Sequence, residues 1–234
     1  MLDSSLIASH RLVQRAAKTV LEILAAKISA SDTEASIAAR AHAELCKLGY
    51  PETWYYDCHA LVLLGSRSCA SLSGREYVPA VEPVGAHNLV TIDLSPMKNG
   101  YWGDCARSFY VEHGAVTSTP TSPDLAEGKS FLETLHAQMR DFVTTRTSFG
   151  ELFHWANECV QVNGFENLDF LGNVGHSIVR RREDRLYIQA DNSRLLSEVP
   201  LFTFEPHVRK RGGLWGFKHE NIFFFDRDGH LEEL

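Results

Sequence analysis

Apolar residues recur at helical spacing over positions 12–27, with charged residues between them, so the chain opens on an amphipathic helix. A second helix is predicted from "SASDTEASIAARAHAELCKLGY", with Asp32 or Ser31 as N-cap, Glu34 in the first turn and Gly49 as the stop. The pattern then changes to a short apolar run, "HALVLLG", which reads as a strand ending at Gly65. The second half repeats this order. Positions 131–143 are amphipathic, "TSFGELFHWANECVQVNGF" restarts a helix near Ser148 and stops at Gly164, and "LDFLGNVGHSIV" reads as extended. Both copies close on glycine plus an aromatic residue, Gly49-Tyr50 and Gly164-Phe165, a weak internal duplication. "HGAVTSTPTSPDLAEG" between them is a surface connection. The tail, from "PLFTFEPH" onward, gives a strand, a Gly-rich turn, a strand and a last hairpin closed by Asp-Gly. The class is α+β, an antiparallel or mixed sheet with helices on one face.

Composition narrows the setting. At 234 residues and 44% hydrophobic, the chain can bury one sizeable core, and a single catalytic domain over 1–234 is expected. The formal net charge of −7 offers no positive field for a nucleic acid or an anionic membrane, so neither is an expected partner. The five cysteines are odd in number and contain no CxxC pair, which fits a reducing compartment, the cytoplasm. The N-terminus lacks the apolar core of a signal peptide, and no run reaches the ~20 apolar residues of a membrane span.

Five polar residues break otherwise apolar, strand-like segments. Asp93 and Asp104 flank the turn in "TIDLSPMKNGYWGDCARSF", His176 lies in "NVGHSIV", Glu205 in "LFTFEPH" and Glu220 in "GFKHENIFFF". Singly, each has an ordinary explanation: a turn aspartate, an Asp104–Arg107 ion pair, a core histidine. Together, four carboxylates in a core cost several kcal/mol each unless positive charge accompanies them, and metal ions supply it. Carboxylate oxygens with one imidazole suit Mn, Fe, Co or Zn better than Ca.

With those residues in place, the chain resembles a divergent member of the methionine aminopeptidase and Xaa-Pro peptidase family, the M24-like pita-bread metallohydrolases. The family's "iDlg…gY.sD.tRtf", "GhGIG", "f.iEPg" and "g.riEd" are similar to the four segments just quoted. The resemblance implies a fold of two pseudo-symmetric halves with a curved sheet and outer helices, and two divalent ions. Asp93 would chelate one ion, His176 and Glu205 the other, and Asp104 and Glu220 would span both. His176 and Glu205 would be catalytic, Glu205 passing a proton to the leaving amine. The implied activity is cleavage of a C–N bond in a short peptide or amide-like substrate. The resemblance covers the catalytic domain alone, without the extra N-terminal domain of many prolidase-like members, and leaves room for a homodimer.

The family's two substrate-binding histidines are missing: Leu72 or Ser73 stands where the first belongs, and Glu183 and Asp184 where the second belongs. His207 and His219, flanking Glu205 and Glu220, are the best-placed replacements, although a residue next to a ligand on a strand normally faces away. Arg180 and Arg182, in phase with His176, are candidates for binding a substrate carboxylate or phosphate. These departures keep two alternatives open: an enzyme of the same fold acting on a non-peptide small molecule, and a non-catalytic binding module.

Overall fold

The computed structural model describes residues 4–234. Its elements follow the predicted order, twice over. Helix α1 (Ser4–Ala25) and helix α2 (Glu34–Lys47) precede strands β1 (Glu52–Thr53), β2 (Ala60–Leu64), β3 (Asn88–Leu94), β4 (Pro96–Lys98), β5 (Tyr101–Trp102), β6 (Cys105–Glu112) and β7 (Ala115–Thr117). Helix α3 (Pro123–Phe142) and helix α4 (Phe149–Val162) then precede β8 (Phe165–Asn167), β9 (Phe202–Phe204), β10 (His207–Lys210), β11 (Gly216–Lys218), β12 (Asn221–Phe225) and β13 (Leu231–Glu233).

The first half packs its helices on the sheet β2-β3-β6-β7, burying Val20, Leu24, Ile37 and Leu45 against Val62, Val90 and Ile92. The second half splits its strands into β11-β10-β8 and β13-β12-β9, under a core of Leu132, Leu135, Phe149, Phe202, Phe204 and Phe223. A third cluster, with Ile7, Trp54, Trp102, Ile178, Ile222 and Phe224, joins α1 to strands of both halves. Every strand ladder among the described residues is antiparallel, so backbone groups pair between neighbours without crossover helices.

The duplication is visible in the helix starts. Thr33 caps α2 and Ser148 caps α4, each in a capping box whose partner is the residue three on, Ser36 or Glu151. The predicted caps Asp32 and Ser31 lie just outside, because the Asp32 carboxylate instead ties the preceding turn together, accepting from Ser29 N–H at 2.9 Å and from Arg40 Nη2 at 2.6 Å.

The sequence reading differs from the structure most at "LDFLGNVGHSIV". The regular strand β8, Phe165–Asn167, ends just before this segment, and within it only His176 and Ser177 make isolated bridges, to Tyr187 and Phe202. Side chains replace the ladder: the Asn167 amide donates to the carbonyls of Gly172 and Asn173, and Asp169 Oδ1 accepts from the N–H groups of Leu171 and Asn173.

Candidate metal centre

The two long strands of the first half fix the first carboxylate. Asp93 on β3 lies between Leu61 on β2 and Ala106 on β6, so its direction is set by a continuous ladder. Asp104 immediately precedes β6 and is pinned by α1: Gln14 Oε1 accepts from the Asp104 N–H, and Gln14 Nε2 donates to the Asp104 carbonyl, both at 2.8 Å. Gln14 is fully buried, and this paired contact explains why an amide is tolerated on the apolar face of a helix.

The second half brings its three residues by less regular means. The His176 N–H donates to Thr203 Oγ1 at 3.0 Å, and its carbonyl accepts from Thr203 N–H at 2.7 Å. Gly175 makes this approach possible. With φ at +152°, it occupies a backbone region closed to most residues, and a Cβ there would collide with the Thr203 carbonyl. Glu205 is anchored by its N–H on the Val174 carbonyl, and Glu220 by its N–H on the Ala106 carbonyl, opposite Asp93 in the ladder. The Arg107 guanidinium then closes on the Glu220 carbonyl at 2.6 Å and on Asn221 Oδ1 at 2.7 Å. Arg107 thus supports the backbone of a candidate ligand, and forms no ion pair with Asp104 of the kind the spacing allowed.

Asp93, Asp104, His176 and Glu205 line a cavity of about 630 Å³, with Glu220 fully buried beneath them. His176 Nδ1 donates to the Ser177 carbonyl at 3.0 Å, the arrangement by which a ligating imidazole is oriented, and this leaves the Nε2 lone pair facing the acids. Nε2 lies 3.4 Å from Asp104 Oδ2 and 3.7 Å from Glu205 Oε1. Lone pair facing lone pair at such distances calls for a proton or a cation between them. Asp104 Oδ2 and both carboxylate oxygens of Glu220 are buried and accept no hydrogen bond. Burial pushes the Asp104 carboxyl up to about 6 despite His176, and burial, reinforced by Asp104, Glu205 and Asp93, pushes Glu220 well above the usual range. Uncompensated oxygens beside an imidazole lone pair fit a divalent ion. The ligand atoms of Asp104, His176 and Glu220 fall within 4.8 Å of one another, close enough to share one.

Two cations already reach the cluster. Lys218 Nζ is 2.5 Å from Asp93 Oδ2 and 3.3 Å from Glu205 Oε2. Burial works upward on Glu205, yet Lys218 and His176 outweigh it and hold that carboxyl below its ordinary value. Arg185 Nη1 lies 3.5 Å from His176 Nε2, its guanidinium held against the rings of Trp54 and Tyr187. Both cations line the cavity, together with Tyr55, Tyr56, Phe170 and Leu171.

The candidate substrate-binding residues divide. His207 lines the cavity, since it is two residues on from Glu205 rather than next to it; its Nε2 is 2.6 Å from the Ser68 carbonyl, and burial lowers its pKa to about 4. His219 does not line it. That ring packs on His136 at 4.3 Å, where burial and the second imidazole keep it neutral. Arg180 is exposed, and Arg182 lies over the Tyr56 ring while donating to the Trp54 carbonyl at 3.0 Å, so neither lines the cavity. Arg185 lines it instead because the backbone between His176 and Tyr187 leaves the strand in a short 3-10 turn, Arg182–Asp184, which breaks the alternation that favoured Arg180 and Arg182. Leu72 and Ser73 do line the cavity.

Lys218 was not singled out by the sequence, although it had a signal, a charged residue two before Glu220 and therefore on its face of the strand. Arg185 belongs to the same run of arginines as Arg180 and Arg182, but strand alternation puts it out of phase with His176.

The model of metallopeptidase family M24 matches residues 7–226. The chain belongs to that family. Members of M24 are divalent-metal-dependent hydrolases, which agrees with the donor set described above. No curated protein matches the sequence. Among solved structures, an X-Pro aminopeptidase from Thermotoga maritima is similar with a TM-score of 0.82 at 19% identity, over 99% of this chain and 61% of its own. A prolidase from Thermococcus sibiricus gives 0.81 at 16% identity, over 100% and 59%. An Xaa-Pro dipeptidase from Bacillus anthracis gives 0.81 at 17%, over 99% and 60%. This M24 chain therefore shares their fold while spanning about three fifths of their length.

Proposed function

We propose that this chain is a hydrolase that uses divalent metal, of the Mn, Fe, Co or Zn type, to cleave a C–N bond in a short peptide or amide-like substrate, as an aminopeptidase or Xaa-Pro peptidase does. The observation that carries the reading is that Asp93, Asp104, His176 and Glu205 line one cavity, that ligand atoms of Asp104, His176 and the fully buried Glu220 lie within 4.8 Å of one another, and that buried carboxylate oxygens are left uncompensated. A divalent ion bound there polarises a carbonyl and acidifies water, lowering the barrier to hydrolysis. The residues of the chain would do the rest. Asp104, His176 and Glu220 would hold the ion, with Asp93 and Glu205 beside them. Glu205, kept ionised by Lys218 and in the wall of the cavity, would take a proton from the attacking water and deliver it to the leaving amine. The aromatic wall of Trp54, Tyr55 and Tyr56 would keep bulk water away from the bond being broken.

Turnover is to be measured on a panel of dipeptides, Xaa-Pro peptides and simple amides with each metal added in turn. Chelator-sensitive cleavage that the Glu205→Gln variant loses supports the reading. A metal-loaded protein inert towards every peptide and amide would turn the reading towards a second one, a non-peptide small molecule as substrate. The observation favouring that alternative is the cavity wall, where Leu72 and Ser73 occupy the place of an expected histidine and Arg185 supplies the only unpaired cation among the described lining residues. Failure to bind metal at all would leave a binding module. All five cysteines are free thiols, which supports a reducing, cytoplasmic setting.

A further inference from the structure

We propose that the cavity is built for an anionic substrate, and that Arg75, Arg182 and Arg185 form a cationic entrance that binds a carboxylate or phosphate group on the molecule to be cleaved. The inference rests on the hydrolase reading above and names the charge class of its substrate.

The three guanidinium groups form one connected patch around Trp54 and Tyr56. Arg182 lies 3.6 Å from the centre of the Tyr56 ring, and Arg75 lies 4.3 Å from it. Arg182 Nη1 donates to the Trp54 carbonyl at 3.0 Å, and the Arg182 carbonyl accepts from Arg185 Nε at 3.1 Å. Arg185 in turn lies 5.2 Å from the ring centres of Trp54 and of Tyr187. Trp54, Tyr56, Arg185 and Tyr187 all line the cavity, so the patch borders the space that holds the candidate metal ligands.

Two features set this patch apart. Elsewhere guanidinium groups meet acids: Arg40 pairs with Asp32, Arg67 with Glu34, Arg194 with Glu198 and Arg209 with Glu166. Among the described residues, Arg75, Arg182 and Arg185 pair with no carboxylate, although Arg181 beside them pairs with Asp184. The contact of Arg185 Nη1 is His176 Nε2, at 3.5 Å, and a metal ion on that lone pair would leave the nitrogen free. The second feature is backbone strain. Tyr56 and Asp57 have φ of +50° and +58°, a region unfavourable for residues other than glycine, so the loop holds the Tyr56 ring in place against its own preference. A guanidinium stacked on a ring keeps its edge N–H groups available, and these match the paired oxygens of a carboxylate or phosphate.

The acids of the same wall are engaged elsewhere. Asp169 Oδ1 accepts from the N–H groups of Leu171 and Asn173, and Asp93 and Glu205 face Lys218. With a divalent ion compensating the buried carboxylates, the arginines set the potential that an arriving molecule meets.

The test uses the full chain loaded with Mn²⁺ and compares, by calorimetry, N-benzoylglycine with its uncharged primary amide, and phenyl phosphate with phenol. At least one anion should bind about tenfold tighter than its neutral partner, and the margin should shrink as salt is raised. Whichever anion shows the larger margin identifies the group. Arg185→Met, Arg182→Met and Arg75→Met should each reduce that margin at unchanged metal content, Arg185 most and the exposed Arg75 least. Arg185→Gln serves where the methionine variant does not fold. Anions bound no better than their neutral partners, or not bound at all, would overturn the inference and leave the hydrolase reading standing. A margin that survives all three substitutions would mean that the anion ligates the metal alone, and would overturn it as well. Failure of the hydrolase reading shows separately: a margin that depends on the arginines, in a protein that cleaves no amide, keeps the anion site and rejects the activity.

Discussion

The two halves of the molecule start their second helices with the same device, yet they present their functional residues in different ways. In the first half, Asp93 is the next-to-last residue of a seven-residue strand paired on both sides, and Asp104 immediately precedes an eight-residue one. In the second, His176 lies on isolated bridges, Glu205 between two short strands, and Glu220 between two more. A long ladder fixes direction by repetition, whereas the second half depends on single contacts: Gly175 against Thr203, Glu220 N–H on Ala106. The lesson is that the regular half serves as the frame, and the irregular half carries the imidazole and the bend that lets several elements meet.

That comparison breaks most severely at Gly175. Gly175→Ala forces a Cβ into the Thr203 carbonyl at a backbone angle alanine avoids, so a loss of roughly 3 kcal/mol or more is expected, seen as a fall in Tm with loss of metal uptake. A comparable change within the β3–β6 ladder, Thr91→Ala, should cost far less by the same measurement.

Next in size is Asp104→Asn. Because the wild-type Oδ2 is buried without a hydrogen bond, removing its charge should stabilise the metal-free protein by about 1–3 kcal/mol. The variant should also lose the rise in Tm that added Mn²⁺ gives the wild type. A destabilised apo variant would show that Asp104 is compensated in some other way.

The capping boxes offer a matched pair. Thr33→Ala and Ser148→Ala should each cost about 1 kcal/mol in chemical denaturation, since each removes one acceptor from a helix start. Unequal losses would show that the duplication is one of form and not of energetics.

The smallest effect is acid-linked. Burial raises the Asp32 carboxyl, but hydrogen bonds from Arg40, Ser29 and Ser36 outweigh it and lower its pKa to about 2 from an ordinary 3.8. A depressed folded value means that the contribution is complete above the unfolded value and is lost as pH falls through about 2. After allowance for the partly exposed Arg40, of order 1 kcal/mol is at stake. Stability curves of the wild type and Asp32→Asn should therefore converge as pH falls from about 4 to about 2.

Much of this architecture was legible in the chain. Helical spacing and the Gly-aromatic stops revealed the paired helices of each half, because amphipathic periodicity is a local property. The five candidate ligands were legible for a different reason: an acid in an apolar strand is costly, so each one announces that something must compensate it. The extended reading of 168–179 did not show that Asn167 and Asp169 satisfy the backbone of Gly172 and Leu171 with side-chain hydrogen bonds, which no periodicity records.

The amino-acid order by itself determined the helices, the apolar faces and the identity of the acids and imidazole, since these follow from neighbours a few residues apart. Only the tertiary structure decided which cations meet those acids. Lys218 reaches Asp93 across 125 positions, and Arg185 reaches His176 through a turn that breaks strand alternation. Electrostatic energy depends on distance in space, and chain separation does not encode it.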